Sequence, residues 1–203
     1  MTWALILSLI RKVPFAFEDV KQGKWNREAW QGTELYAKTL GIVGYGRVGR
    51  QIAKMVCGWG MKVIYYDINT PKHIMAVGVS LETLLRNSDI ITVHVPLDTT
   101  TRLMFGAKEF AMMKPTAYFV NTSRGAVVDE AALWRALIEG KIKGAAIDVC
   151  RGEPHLWYPL QRYAEVNDNL IITPHISGNT AESRKKTQLY IANKILNYIK
   201  GSG

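Results

Sequence analysis

Cysteine is scarce in this sequence: Cys57 and Cys150 are the two in 203 residues. They form no Cys-x-x-Cys pair and no cluster with histidine, which argues against a disulfide framework or a zinc site. No metal is expected, and such sparse thiols suit a reducing, cytoplasmic location. Long hydrophobic runs are missing as well. The apolar run Trp3 to Ile10 is too short to span a bilayer and lacks the basic segment that precedes a signal-peptide core. It reads as a buried helix, closed by Arg11 and Lys12 and stopped before Pro14. No membrane partner is expected. There is no internal repeat and no low-complexity linker, and 203 residues could form one large domain or two small ones. Acidic residues are outnumbered 17 to 26, for a net charge of +9. That raises nucleic acid as a partner. The basic residues are dispersed, however, and the densest run is only Arg184-Lys185-Lys186. No DNA- or RNA-binding signature accompanies them, so nucleic acid is not the expected partner. The charge suits an anionic cofactor and an acidic substrate equally well.

Against this background one stretch stands out. Thr39 to Ala53 reads as a short apolar strand, then Gly44-Tyr45-Gly46-Arg47-Val48-Gly49, then an amphipathic helix. Each glycine has a mechanical reason. Gly44 permits the tight turn off the strand, Gly46 lets backbone approach a pyrophosphate, and Gly49 lets the helix pack close to the sheet. The helix N-terminus, including Arg47 and Val48, offers free N–H groups to the phosphates. Asp67 ends the next apolar run, 18 residues after Gly49. An acid near that spacing accepts hydrogen bonds from the adenine ribose and repels a 2′-phosphate. Ile68-Asn69-Thr70 supplies no cation to neutralise one. NAD is therefore expected over NADP.

Downstream, short apolar runs alternate with helical patterns. Strands are expected at 40–43, 62–66, 90–93, 117–120, 145–148 and 170–173. Helices are expected near 47–58, with Cys57 packed inside it, and near 80–86, 107–113, 129–139 and 180–199. Asp129 suits an N-cap and Gly140 a C-cap. Asn179 and Glu182 suit a capping box, with Leu189, Ala192, Ile195, Leu196 and Ile199 as the apolar stripe of the last helix. The alternation predicts an α/β, Rossmann-type, doubly wound parallel sheet with helices on both faces, its six strands in the order 3-2-1-4-5-6. The segment 151–169 is long for a connection and is expected to be functional or to carry irregular structure.

Ligands of such sheets bind beyond the carboxyl ends of the strands. There the sequence places Asn121-Thr122-Ser123-Arg124-Gly125, Asp148 followed by Glu153-Pro154, and Pro174-His175-Ile176. Together with the glycine loop and His94-Val95-Pro96-Leu97, these segments resemble the D-isomer-specific 2-hydroxyacid dehydrogenase family, in order and from the opening helix to about residue 200. The resemblance implies an NAD-dependent oxidoreductase that moves a hydride between NAD(H) and a D-2-hydroxyacid/2-keto acid pair, in the manner of phosphoglycerate dehydrogenase. It implies three catalytic residues. His175 would be the general acid–base, Glu153 would hold that imidazole and supply an opposite charge, and Arg124 would bind the keto acid through its planar donor fork. It also implies cofactor contacts from His94, Val95, Pro96, Thr122, Ser123, Asp148 and His175, with Asp148 at the nicotinamide end. Cys150 stands where the family often has an aromatic residue, and Ser177 where glycine is common.

Members of that family carry a second, substrate domain. The opening helix and the helix at 180–199 resemble the crossovers to it, so residues 1–203 are expected to be a single nucleotide-binding domain without that partner, binding NAD with little turnover. Family dimers form largely through this domain, and the segment with Trp25 and Trp30 suits a homodimer interface. One alternative stays open: the C-terminal-binding-protein corepressors share the fold and similar Arg, Glu and His positions as non-catalytic NAD sensors.

Overall fold

The computed structural model describes residues 1–56, 58–69 and 75–201. Seven strands form one sheet: β1 Thr39–Val43, β2 Lys62–Tyr66, β3 Val77–Gly78, β4 Ile90–Val93, β5 Tyr118–Asn121, β6 Gly144–Ile147 and β7 Leu170–Ile172. Every neighbouring pair is parallel, in the order β3-β2-β1-β4-β5-β6-β7. Eight α-helices accompany them among the described residues: α1 Thr2–Ile10, α2 Val13–Lys21, α3 Arg47–Met55, α4 Leu81–Asn87, α5 Ala107–Met112, α6 Glu130–Ile138, α7 Tyr158–Val166 and α8 Ala181–Gly201.

Alternation along each strand divides the core into two layers, because successive side chains point to opposite faces. Leu40 and Ile42 of β1, Tyr118 and Val120 of β5, and Ala146 of β6 pack with α1 and α3. Val43, Ile91, Val93, Phe119, Ala145 and Ile147 pack with α4, α5, α6 and α7. Phe119 anchors the second layer, with its ring centroid 5.1 Å from that of Phe105 and 5.2 Å from that of Phe110. A sheet buried on both faces needs near-continuous apolar strands, which is how these runs read.

The expected sheet is present, with one correction to its order. Six strands in the order 3-2-1-4-5-6 would put 90–93 at the edge beside 62–66. Instead β4 pairs with β1, from Leu40↔Ile90 to Val43↔Val93, and the edge is the short β3. Two residues are too few to show an alternation, so the strand at 77–78 left no periodic signal. Three further features have local causes. α1 does stop before Pro14, at its Arg11 C-cap, and a second helix follows: Pro14 lies in the first turn of α2, where its missing N–H costs nothing, and Lys12 in the left-handed region (φ +55) makes the bend. The segment 151–169 holds a regular helix, α7, with Pro159 in its first turn and Leu160 buried. The first turn of α8 is capped by Thr180, whose Oγ1 accepts the Ser183 N–H at 3.0 Å, rather than by Asn179. The expected stripe of α8 is not buried in this chain: no residue of that helix is. Asp129 does cap α6, accepting the Ala131 and Ala132 N–H groups, and Gly140 follows that helix at φ +64. The expectation for Cys57 falls outside the described residues. No described helix is long and apolar enough to cross a membrane.

Candidate active site and cofactor cleft

The glycine loop lies at the carboxyl end of the central strand, between β1 and α3. Gly44 has φ +90, and a Cβ there would come within 2.9 Å of the His94 and Val95 backbone. Gly49 packs α3 onto the loop so closely that a Cβ would lie 2.2 Å from the Gly44 carbonyl oxygen. Gly46 is different: a Cβ there would meet nothing within 4 Å. The space beside it is open, as a loop that must admit a phosphate requires. Arg47 and Val48 are exposed at the start of α3.

Asp67 braces this loop from the end of β2. Its Oδ2 accepts the Tyr45 N–H at 2.7 Å and its Oδ1 accepts the Asn69 N–H at 2.8 Å. Gly44, Gly46, Asp67, His94, Val95 and Pro96 line one cavity of about 320 Å³. The sequence scatters these residues over three segments, and the fold brings them together. Burial pushes the His94 imidazole down to about 4, so it is neutral near pH 7, and its Nε2 lies 2.9 Å from Thr92 Oγ1. The residues present fit a dinucleotide: an open glycine cradle, helix N–H groups and a carboxylate at ribose distance in sequence.

The second cluster sits beyond β5, β6 and β7. His175 Nδ1 and Glu153 Oε2 are 2.7 Å apart. The other oxygen of Glu153 accepts the Cys150 N–H at 2.7 Å. Burial would raise the Glu153 carboxyl, but the Cys150 N–H and the His175 imidazole outweigh it and hold it below its ordinary value. His175 itself has φ +53, in the left-handed region. A non-glycine residue held there stores about 1–3 kcal/mol, and such residues persist where their surroundings over-determine them. Asp148 supplies that constraint. It is fully buried, and its two oxygens accept from Thr173 Oγ1 (2.5 Å), the Ile176 N–H (3.0 Å), the Ser177 N–H (2.8 Å) and Ser177 Oγ. Burial pushes its carboxyl up, yet the Ser177 and Thr173 hydroxyls and the two N–H groups bring it below the ordinary value.

Arg124 is exposed on the neighbouring loop, with Nη1 donating to the Ser123 carbonyl at 2.6 Å. That loop is organised by Asn121, itself buried. Asn121 Oδ1 accepts from the Ser123 N–H and Oγ, and its Nδ2 donates to the Arg124 carbonyl. Ser123, expected at the cofactor, thus spends these two donors inside its own loop. Thr122 Oγ1 lies 3.0 Å from Thr2 Oγ1 at the start of α1. Gly125 then packs against the Cys150–Arg151 peptide, where a Cβ would lie 2.1 Å from the Cys150 carbonyl carbon. The fold therefore joins Glu153 directly to His175 and sets Arg124 on an abutting loop. Asp148 is turned into the 173–177 loop rather than exposed to the crevice. Sequence reasoning left Asn121 and Thr173 without a role, treated Ser177 only as a departure, and missed Glu130, whose Oε1 accepts the Arg151 N–H at 2.6 Å. An Asn opening a loop carries a local signal, since its side chain can bond backbone two residues on. A carboxylate in the first turn of a helix carries none, because exposed acids are common there.

Fold, glycine loop and the acid closing β2 define a dinucleotide-binding domain of the doubly wound type. Comparison with known proteins narrows this. The family model for the D-isomer specific 2-hydroxyacid dehydrogenase, NAD binding domain, matches residues 3–177. The chain is 40% identical over 206 residues to a D-3-phosphoglycerate dehydrogenase of Methanocaldococcus jannaschii, covering 99% of this chain and 38% of that protein. It is 41% identical over 212 residues to a glyoxylate reductase of Thermococcus litoralis, covering 99% and 63%. Among solved structures, a D-lactate dehydrogenase from Aquifex aeolicus complexed with NAD and lactic acid superimposes with a TM-score of 0.90 at 32% identity, covering 98% of this chain and 65% of that one. The chain belongs to the D-isomer specific 2-hydroxyacid dehydrogenase family, as its NAD-binding domain. It spans between about two fifths and two thirds of the length of these relatives.

Proposed function

We propose that this chain is the NAD-binding part of an enzyme that interconverts a D-2-hydroxyacid and its 2-keto acid, with 3-phosphoglycerate or a related small acid as substrate. The observation that carries this reading is the 2.7 Å contact between Glu153 and His175 at the carboxyl edge of the sheet. Bound NAD would supply the hydride acceptor or donor. The glycine loop and the N-terminus of α3 would hold its pyrophosphate, and Asp67 its adenine ribose. Because Glu153 engages Nδ1 of His175, Nε2 would be the nitrogen that meets the substrate. His175 would give a proton from Nε2 to the carbonyl oxygen on reduction and take it back on oxidation. Glu153, held ionised, would fix the ring in place for that transfer. Arg124 would grip the substrate carboxylate with two parallel N–H donors. We further propose a homodimer in the cytoplasm. Trp25 is 86% exposed, beside a Trp30 that stacks on Phe15 and donates to Asp19, and aromatic anchors of that kind suit an interface.

The test is a panel of 2-keto acids, phosphorylated and not, offered to the whole protein with NADH or NADPH. Oxidation of NADH in preference to NADPH by at least one acid is expected. His175→Ala should lower turnover by about 10²–10⁴-fold while NADH binding, read by fluorescence, persists. A protein that binds NADH but oxidises it with no acid in the panel would instead favour the corepressor-like, non-catalytic reading.

A further inference from the structure

The pair formed by Glu153 and His175 stands on two loops. Asp148 anchors the one that carries His175. The other, residues 149–153, is tied to itself by the Cys150 N–H on Glu153 Oε1, but that bond does not fix the loop to the body of the domain. The Cys150 side chain packs into the core, and two contacts hold the peptide that follows it. Gly125 abuts the Cys150–Arg151 peptide, and Glu130 accepts the Arg151 N–H through Oε1 at 2.6 Å. Glu130 lies in the first turn of α6 and is 7% exposed. Carboxylates are seldom buried unless something they bond to justifies the loss of water. Capping does not require this one, since Asp129 already caps the helix.

We propose that Glu130 is a positioning residue for the proton-transfer pair, holding the Arg151 peptide so that Glu153 meets His175 at hydrogen-bond distance. The inference rests on the reading of Glu153 and His175 given above. Glu130 acts through one backbone N–H, two residues from Glu153. Its charge reaches the same region: burial, then the charges of Glu130, Glu153 and Asp148, push the Cys150 thiol up to about 12. Reach and charge are separable by substitution. Glu130→Asp keeps the charge and withdraws the carboxylate by one methylene. Glu130→Gln keeps the length and the acceptor oxygen and removes the charge.

In the whole protein Glu130→Asp should lower kcat for 2-keto acid reduction about tenfold, since small displacements of catalytic groups carry large rate penalties. KM for the keto acid and NADH affinity should not change. Glu130→Gln should stay within about twofold of the parent. In the amide spectrum of the domain the Arg151 N–H signal should move in Glu130→Asp and hold in Glu130→Gln, with the signals of Gly44, Gly46 and Gly49 unmoved in both. An unchanged kcat in Glu130→Asp, equal losses in the two variants, or a fall in NADH affinity parallel to kcat would overturn the proposal. A parent protein that binds NADH but reduces no keto acid defeats the proposed function instead. The Arg151 signal then decides by itself whether Glu130 holds the loop.

Discussion

The two ends of the cleft are built from different materials. The loop between β1 and α3 is made of backbone: Gly44 turns, Gly46 leaves room and Gly49 lets the helix approach. The loops beyond β5, β6 and β7 are made of side chains, in which Asn121, Glu130, Asp148 and Glu153 bond to loop backbone that would otherwise be unsupported. A backbone-built site tolerates little variation in residue type, because adding one carbon fills it. A side-chain-built site can be specified by contacts between residues far apart in the chain, and its parts look ordinary one at a time.

The largest effect that sharpens this contrast lies within the glycine loop itself. Gly49→Ala would drive a Cβ to 2.2 Å from a backbone oxygen, where only movement of α3 can relieve it. It should cost about 1–3 kcal/mol of stability, as overpacking does, and remove NADH binding with it. Gly46→Ala puts a Cβ where nothing lies within 4 Å, at φ −73, which any residue accepts. Its unfolding midpoint in urea should match the parent while NADH affinity falls. If Gly46→Ala binds NADH as the parent does, the open space beside Gly46 is not where phosphate sits. If it unfolds as early as Gly49→Ala, the contrast between the two glycines collapses.

That contrast also explains what could be read from the sequence. The glycine loop, the acid closing β2 and the strand–helix alternation were legible because each depends on local rules: steric room, spacing and periodicity. The pairing of Glu153 with His175 was legible only as something implied by resemblance, since 22 residues separate them. Glu130 was not legible, because its partner is the backbone N–H of Arg151, 21 residues on, and the sequence does not say which exposed-looking acid is buried. The edge strand β3 was missed for want of length. The stop before Pro14 was legible, but the helix that starts there was not, because a proline in the first turn starts a helix as readily as it ends one.

On the side-chain-built half, Asp148 gives a pH-dependent test. Its folded carboxyl lies below the ordinary value of 3.8 because two hydroxyls and two N–H groups outweigh the cost of burial. A lowered folded value stabilises the charged, folded form. That stability is complete above the unfolded value and is lost as pH falls through the folded one. Urea unfolding of the parent should therefore weaken progressively below about pH 4. Asp148→Asn should be less stable at pH 7 by about 1–3 kcal/mol, the usual cost of disturbing buried hydrogen bonds, and its stability should fall less steeply in acid. An Asp148→Asn protein whose acid slope equals that of the parent would mean that the 173–177 loop is held by something else.

The smallest effect concerns helix caps, and it separates a side chain's own bond from what that bond is coupled to. Asp129 and Thr180 do the same chemistry: each accepts backbone N–H groups in the first turn of a helix. Losing either cap to alanine costs about 1 kcal/mol locally. The helix behind Asp129 buries Ala132, Leu133, Ala136 and Leu137, so fraying α6 disturbs the core and the contact of Glu130 with the Arg151 N–H. Asp129→Ala should therefore lower the global unfolding midpoint. The helix behind Thr180 buries nothing within this chain. Thr180→Ala should leave the global midpoint unchanged and speed amide exchange only in the first turn of α8. Asn179→Ala should do neither, because Thr180 carries the cap. A drop in the global midpoint for Thr180→Ala that grows with protein concentration would show that α8 is covered by a second copy in solution, and so is coupled after all.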